Sequence, residues 1–246
     1  MWARFRSISH LLRLCRKANG TVINGGLRIK REAGRKLKLV LTASRQLYGS
    51  ALPCGRIVHC RYNRAMRRTL ALHPDSRCKA VTRIDVDVLH SSRGHLTLRY
   101  TVTGRIENLR LPHVTASTRA DELWRHTCFE AFIRTSDGAA YYELNFAPST
   151  QWAAYEFSGY RSGMRVASEV DAPFIEVHSR DDIYTLQAAL DLERLPHLPK
   201  DATLKLGLSA VIEETDGAIS YWALAHPPGR ADFHHSDCFA LELARA

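Results

Sequence analysis

CFEAFIRTSDGAAYYELNF, residues 128–146, is the stretch whose reading decides the fold. Asp137-Gly138 lies between two alternating runs, a two-residue hairpin signal. With the turn there, Arg134 faces Tyr141, Phe132 faces Glu143 and Glu130 faces Asn145. Side chains alternate along a strand, so these six share one sheet face. Phe129, Ala131, Ile133, Tyr142, Leu144 and Phe146 then form the opposite face, a core stripe. A slip of one residue would exchange the two faces. The first face is expected either to bind a hydroxylated ligand or to be a solvated surface whose carboxylates pair with Arg134 or Arg125.

Outward from the hairpin the same period of two recurs. Ile84, Val86 and Val88 alternate with Asp85 and Asp87; Leu96, Leu98, Tyr100 and Val102 alternate with Thr97, Arg99 and Thr101. Further runs at 152–158, 174–179, 183–192, 203–213, 218–225 and 237–243 bring the expectation to about ten strands. Short turns are expected at 119–123 and 192–196. Strands at this spacing without intervening helices predict an all-β fold, an antiparallel sandwich or barrel.

Charge divides the chain. Residues 1–65 hold fifteen Lys/Arg and one acidic residue, Glu32, a formal charge of +14; the remaining 20 basic and 24 acidic residues give −4. The alkaline balance therefore belongs to the first quarter, and the body offers no basis for a nucleic-acid partner. The composition break predicts Met66 as the true start. Residues 1–65 read as a basic N-terminal extension, disordered or not native, and 66–246 as the folded domain. Trp2, Phe5, Ile8, Leu12 and Cys15 at helical spacing among arginines are the competing sign of a membrane-surface or transit helix. No run approaches a membrane span, and no secretory signal opens the chain. Cys78, Cys128 and Cys238 are odd in number and widely spaced, so neither disulfide framework nor zinc pattern is expected. A cytoplasmic location follows by default.

Two more segments are dense in aromatic and polar residues. YYELNFAPSTQWAAYEFSGYR (141–161) contributes Trp152, Tyr155 and Arg161; SYWALAHPPGRADFHH (220–235) contributes Trp222, His226, Asp232 and His234. With LWRHTCFEAFI (123–133), which adds Trp124, Arg125 and His126, they supply an apolar platform and converging polar groups, the needs of a small-ligand site. Each tryptophan could equally fill the core. The loop histidines and Asp232 could bind a metal, although no H-E-x-x-H spacing supports it.

The same segments resemble the DOMON-like domains related to family 9 carbohydrate-binding modules, in particular small bacterial proteins whose genes often neighbour a cell-wall precursor reductase. The resemblance rests on RADELWRHTCFEAF (119–132), YYELNFAPSTQWAAYEFSGYR and SYWALAHPPGRADFH (220–234), and runs from about Met66 to the C-terminus. It implies an immunoglobulin-like or jelly-roll β-sandwich with a sugar or haem pocket on one sheet. Trp124, Trp152 and Trp222 match the rings that clamp a sugar in such relatives. His126, His226, His234, His235 or Met164 would be the axial ligands of a haem. It leaves calcium open and names no protein partner.

The reading that follows is a non-catalytic carbohydrate-binding module. Trp124, Trp152 and Trp222 would stack on the ring, and Arg125, Glu130, Glu143, Asn145 and Arg161 would bond its hydroxyls. The alternatives are a haem- or metal-binding domain and, in third place, an enzyme using Glu130 and Glu143 as the acid/base pair of a glycosidase.

Overall fold

The 128–146 hairpin forms in the expected register. In the computed structural model, Arg134 pairs with Tyr141, Phe132 with Glu143 and Glu130 with Asn145. The ladder ends at Arg134–Tyr141, so the connection is wider than a two-residue turn. Arg134 closes it instead, donating from Nη1 to the Gly138 carbonyl at 3.1 Å.

The structure describes residues 27–30, 38–41, 66–91, 94–199 and 202–243. The chain divides into two units, Met1–His59 and Cys60–Ala246. In the first, β1 (Leu27–Lys30) and β2 (Lys38–Leu41) pair antiparallel. The rest of the extension, with its expected disorder and its possible membrane helix, lies outside the described residues.

The second unit is an antiparallel β-sandwich. Its strands are β3 (Met66–Leu72), β4 (Val81–His90), β5 (His95–Gly104), β6 (Cys128–Thr135), β7 (Tyr141–Phe146) and β8 (Trp152–Phe157). They continue as β9 (Arg165–Val166), β10 (Phe174–Arg180), β11 (Ile183–Asp191), β12 (Leu204–Glu213), β13 (Ile219–Ala223) and β14 (Leu241–Leu243). All belong to one 12-stranded sheet in the order β10-β11-β5-β4-β3-β13-β12-β6-β7-β8-β9, with β14 beside β12. The sheet curls at β3–β13, where only Leu72–Trp222 and Ala71–Ala223 pair.

Two strands exceed the sequence expectation. β3 opens on Arg67 and Arg68, and its polar side is spent on partners in β4: Arg67 pairs with Asp87 at 2.7 Å and Thr69 donates to Asp85 at 2.6 Å. β9 is too short for periodicity to register. The last strand is expected at 237–243; Ser236–Cys238 instead form a 3₁₀ turn before β14. Among the described residues there is no α-helix.

The core lies between the two halves of the curled sheet. Ile84, Val86, Val88, Leu96, Leu98, Tyr100 and Val102 are wholly buried from one side, and Phe129, Ala131, Ile133, Tyr142, Leu144 and Phe146 almost so from the other. Each such apolar side chain contributes roughly 1.5–3 kcal/mol. Tyr100 Oη donates to the Glu130 carbonyl at 2.6 Å and ties the halves together. Gly104 sits at φ 152°, where an added Cβ would lie 2.0 Å from the Ala80 carbonyl oxygen.

Candidate functional site

The first, polar face of the hairpin is not a solvated surface. β6, β7 and β8 are buried on both sides. A second apolar cluster covers this face, built by Phe132, Tyr141, Tyr155 and Phe157 from the strands and Phe233 and Phe239 from the segment after β13. Gly207 permits the close approach: an added Cβ there would meet the Cys238 carbonyl at 3.2 Å.

Under this cover runs a polar row. Strand pairing aligns Ala153, Asn145, Glu130, Ser209 and Ala223 side by side. Glu130 is 2% exposed and Asn145 is fully buried. Ser209 donates to Glu130 at 3.0 Å and Asn145 Nδ2 donates to Glu143 at 2.8 Å. Asn145 Oδ1 has no partner. Burial pushes the Glu130 carboxyl up to about 8, aided by the Glu143 charge and opposed by the Ser209 hydrogen bond. Burial likewise raises Glu143, against the Asn145 hydrogen bond and the Arg161 charge. Neither carboxylate pairs with Arg134 or Arg125. Arg125 bonds Glu122 instead, at 2.6 Å.

His234 stands between this row and the outside. Its Nδ1 is 2.8 Å from Tyr141 Oη, and that oxygen accepts the Arg161 N–H at 3.2 Å. In the tautomer with the imidazole proton on Nε2, the tyrosine hydroxyl donates to Nδ1. Nε2 lies 3.8 Å from Glu143. That approach is no ion pair at neutral pH. Burial, then the Arg161 charge, lowers His234 to about 4, so the ring is neutral.

Asp232 organises the outer end. It accepts from Tyr160 Oη at 2.5 Å, from Arg161 Nη2 at 2.7 Å and from the His234 amide at 3.1 Å. Burial works to raise its carboxyl, but the bonds from Tyr160 and Arg161 outweigh it and hold the group below the ordinary range. Arg161 adopts a left-handed backbone, φ 49°, unusual for a non-glycine residue.

Beside this hub opens a cavity of ≈ 520 Å³. Its wall is formed by Arg134, Tyr141, Tyr160, His234, His235 and Phe239, with Ala139 and Ser236 completing it. Tyr160 is 59% exposed, with the His235 ring in a T-shaped contact at 6.3 Å. Arg134 lies over the Phe239 ring, 4.8 Å from its centroid.

The structure thus gathers Glu130, Glu143, Asn145, Tyr155, Arg161, Asp232 and His234 on one face, and only His234 of them lines the cavity. Trp152 and Trp222 correct the expectation. Both are buried in the core between the halves, because Trp152 pairs with Phe146 and Trp222 with Ala210, residues of the inward stripe. Neither can stack on a ligand at the polar face. Trp124, Arg125 and His126 sit at the far end of that face on a 3₁₀ turn. Trp124 is 47% exposed, and His126 Nδ1 bonds Glu213 at 2.7 Å. His226 lies apart, its Nε2 2.9 Å from the Ala71 carbonyl.

Sequence reasoning missed Tyr141, Tyr160, Phe239 and Ser209 as site residues, and offered His235 only as a haem ligand. The hairpin register had already set Arg134 against Tyr141, but Ser209 and Phe239 arrive through long-range pairing that no local signal marks.

A haem would need an uncommitted ligand aimed into a slot. His126, His226 and His234 are engaged as described, His235 accepts the Asp237 amide at 3.3 Å, and Met164 is 61% exposed outside the cavity lining. These residues do not fit a haem. Among the described residues no group of three or more His, Cys, Asp or Glu could hold a metal ion, and no helix is long and apolar enough to cross a membrane.

No family model matches the chain, and no curated protein matches it. Solved structures do. A protein from Bacteroides uniformis, provisionally described as carbohydrate-binding, superposes with TM-score 0.54 at 14% identity, over 70% of this chain and 83% of that one. This likeness is one of fold. Family 9 carbohydrate-binding modules from Caldicellulosiruptor kristjanssonii, holding glucose or cellotriose, are more distant. Both have TM-score 0.38 over 74% of this chain, at 10% identity and 85% of that chain for glucose, 11% and 83% for cellotriose.

Proposed function

We propose that this chain is a non-catalytic carbohydrate-binding domain whose saccharide sits in the cavity at the hairpin end of the polar face. The observation that carries the reading is that cavity: an exposed tyrosine ring and buried aromatic walls beside fixed polar edges. Sugar rings pack their C–H faces on such rings and spend their hydroxyls on the edges. Tyr160 is the platform; Tyr141, His234, His235 and Arg134 supply the polar contacts. Tyr160 is held by Asp232, which Arg161 holds in turn, so the platform is pre-organised before a ligand arrives.

Glu130 and Glu143 support the non-catalytic reading. A glycosidase needs two carboxyl groups flanking the scissile bond. These two are 2% and 5% exposed, behind Tyr141 and His234, and neither lines the cavity. Their role is structural, in the buried polar row with Ser209 and Asn145. The fold likeness to the Bacteroides uniformis protein is consistent with sugar binding. Cys78, Cys128 and Cys238 are free thiols, which suits a reducing cytoplasm.

Calorimetric titration with neutral mono- and oligosaccharides tests the proposal. A saturable signal that weakens at least about tenfold in Tyr160→Ala, without a shift in melting temperature, is expected. An unchanged affinity in that variant would remove the cavity from the function.

A further inference from the structure

Arg134 is a cation without a counter-charge. Its one hydrogen bond among the described residues runs from Nη1 to a neutral acceptor, the Gly138 carbonyl. Its Nε is buried and has no partner at all. Among the described residues no carboxylate pairs with it, although the neighbouring Arg161 is paired with Asp232 at 2.7 Å. The other ionisable groups around the cavity do not compensate it. His234 is neutral, Asp232 is committed to Tyr160 and Arg161, and Asp237 lies 3.6 Å from His235. Glu143 is behind His234.

The position is built rather than accidental. Hairpin pairing sets Arg134 opposite Tyr141, and the Phe239 ring lies under the guanidinium. A ring contact and a backbone bond fix its plane beside the cavity and leave donors over. A buried guanidinium N–H left unpaired costs free energy. A planar anion meeting the terminal Nη1/Nη2 edge, whose hydrogens are not all spent on the Gly138 carbonyl, would receive two parallel hydrogen bonds.

We propose that the cavity selects saccharides carrying a carboxylate, uronic acids as a chemical class, and that Arg134 is the residue that reads the acid. This rests on the carbohydrate reading above. A carboxylate matches the site better than a phosphate: it is planar and singly charged, as the single free guanidinium is. Among the described residues Lys205, opposite Arg134 on β12, is the one further cation that could meet the second charge of a phosphate dianion, and the phosphate arm of the test reads that alternative. Tyr160 would take the ring face while Arg134 takes the C6 acid.

Calorimetry on the full chain with matched pairs tests this: glucose against glucuronate, galactose against galacturonate, mannose against mannuronate, with the hexose 6-phosphates as a third arm. One uronate should bind roughly 10- to 100-fold tighter than its neutral partner, the size of a desolvated charge-assisted contact. That ratio should shrink in 1 M salt, where the Debye length is about 3 Å. It should fall toward one in Arg134→Met and recover in part in Arg134→Lys. Circular dichroism and melting temperature establish that both variants fold. Neutral sugars binding as well as uronates, or phosphates binding best, would overturn the acid preference and leave the carbohydrate function standing. Uronate preference intact in Arg134→Met would overturn the role of Arg134. Silence in every arm would overturn both.

Discussion

Replacing Glu130 by glutamine should make the protein more stable in mild alkali, and the structure sets the size of the gain. The Glu130 carboxyl titrates near 8 in the folded chain against 4.5 for an ordinary glutamate. Between those values the folded state keeps a proton that the unfolded chain has lost, so wild-type stability falls as pH rises. At 1.36 kcal/mol per unit, the full difference acting between pH 5 and 9 amounts to about 4 kcal/mol. Coupling to Glu143 reduces the expected figure to about 2–4 kcal/mol. Glutamine copies the neutral acid: it can accept from Ser209 and offers an amide to the unpartnered Asn145 Oδ1. Thermal melts at intervals from pH 5 to 9 read the effect. A kcal/mol moves the midpoint of a domain this size by roughly 2–4 °C. The gap between Glu130→Gln and wild type should therefore open by about 5–15 °C toward pH 9. Parallel profiles for the two proteins would refute a buried, protonated Glu130.

Other variants separate the core from the cavity. Trp152→Ala should cost about 3–5 kcal/mol in urea unfolding, since its ring fills the space between the halves under Arg119, 4.1 Å away. Glu214→Ala should cost roughly 2–4 kcal/mol, because it strips the acceptor from two backbone amides, Lys79 and Ala80, both at 2.7 Å; denaturant midpoints measure it. Gly104→Ala should destabilise by more than about 2 kcal/mol, a backbone clash at a left-handed position that no side chain can relieve; a melting temperature equal to wild type would contradict the sheet geometry there.

The fold was legible because alternation fixes the parity of each strand. The 128–146 pairing, the ten expected strands and the core stripe all rest on a buried face whose hydrophobic set admits one register. β3 escaped because its outward arginines and threonine hide the alternation until the aspartates of β4 are seen opposite them. The tryptophans were misread for a related reason. Density of aromatic residues does not carry parity, whereas pairing does: Trp152 lies beside Phe146, and Phe146 was already on the inward stripe. The polar row was half visible. Glu130, Glu143 and Asn145 followed from the hairpin alone, while its burial depended on Phe233 and Phe239, which return from far along the chain, after β13. The cavity was least legible, since Tyr160 is placed by Asp232 and Arg134 meets Phe239, both supplied by the segment after β13.

The most direct test of the central claim is where a saccharide perturbs the protein. In a ¹⁵N-edited NMR titration with sugars that give a calorimetric signal, the backbone amides of Ala139, Tyr160, His235 and Ser236 should shift together. The indole signals of Trp152 and Trp222 should stay fixed. Shifts concentrated at Trp124–His126, or on the two buried indoles, would contradict the hairpin-end cavity as the binding site.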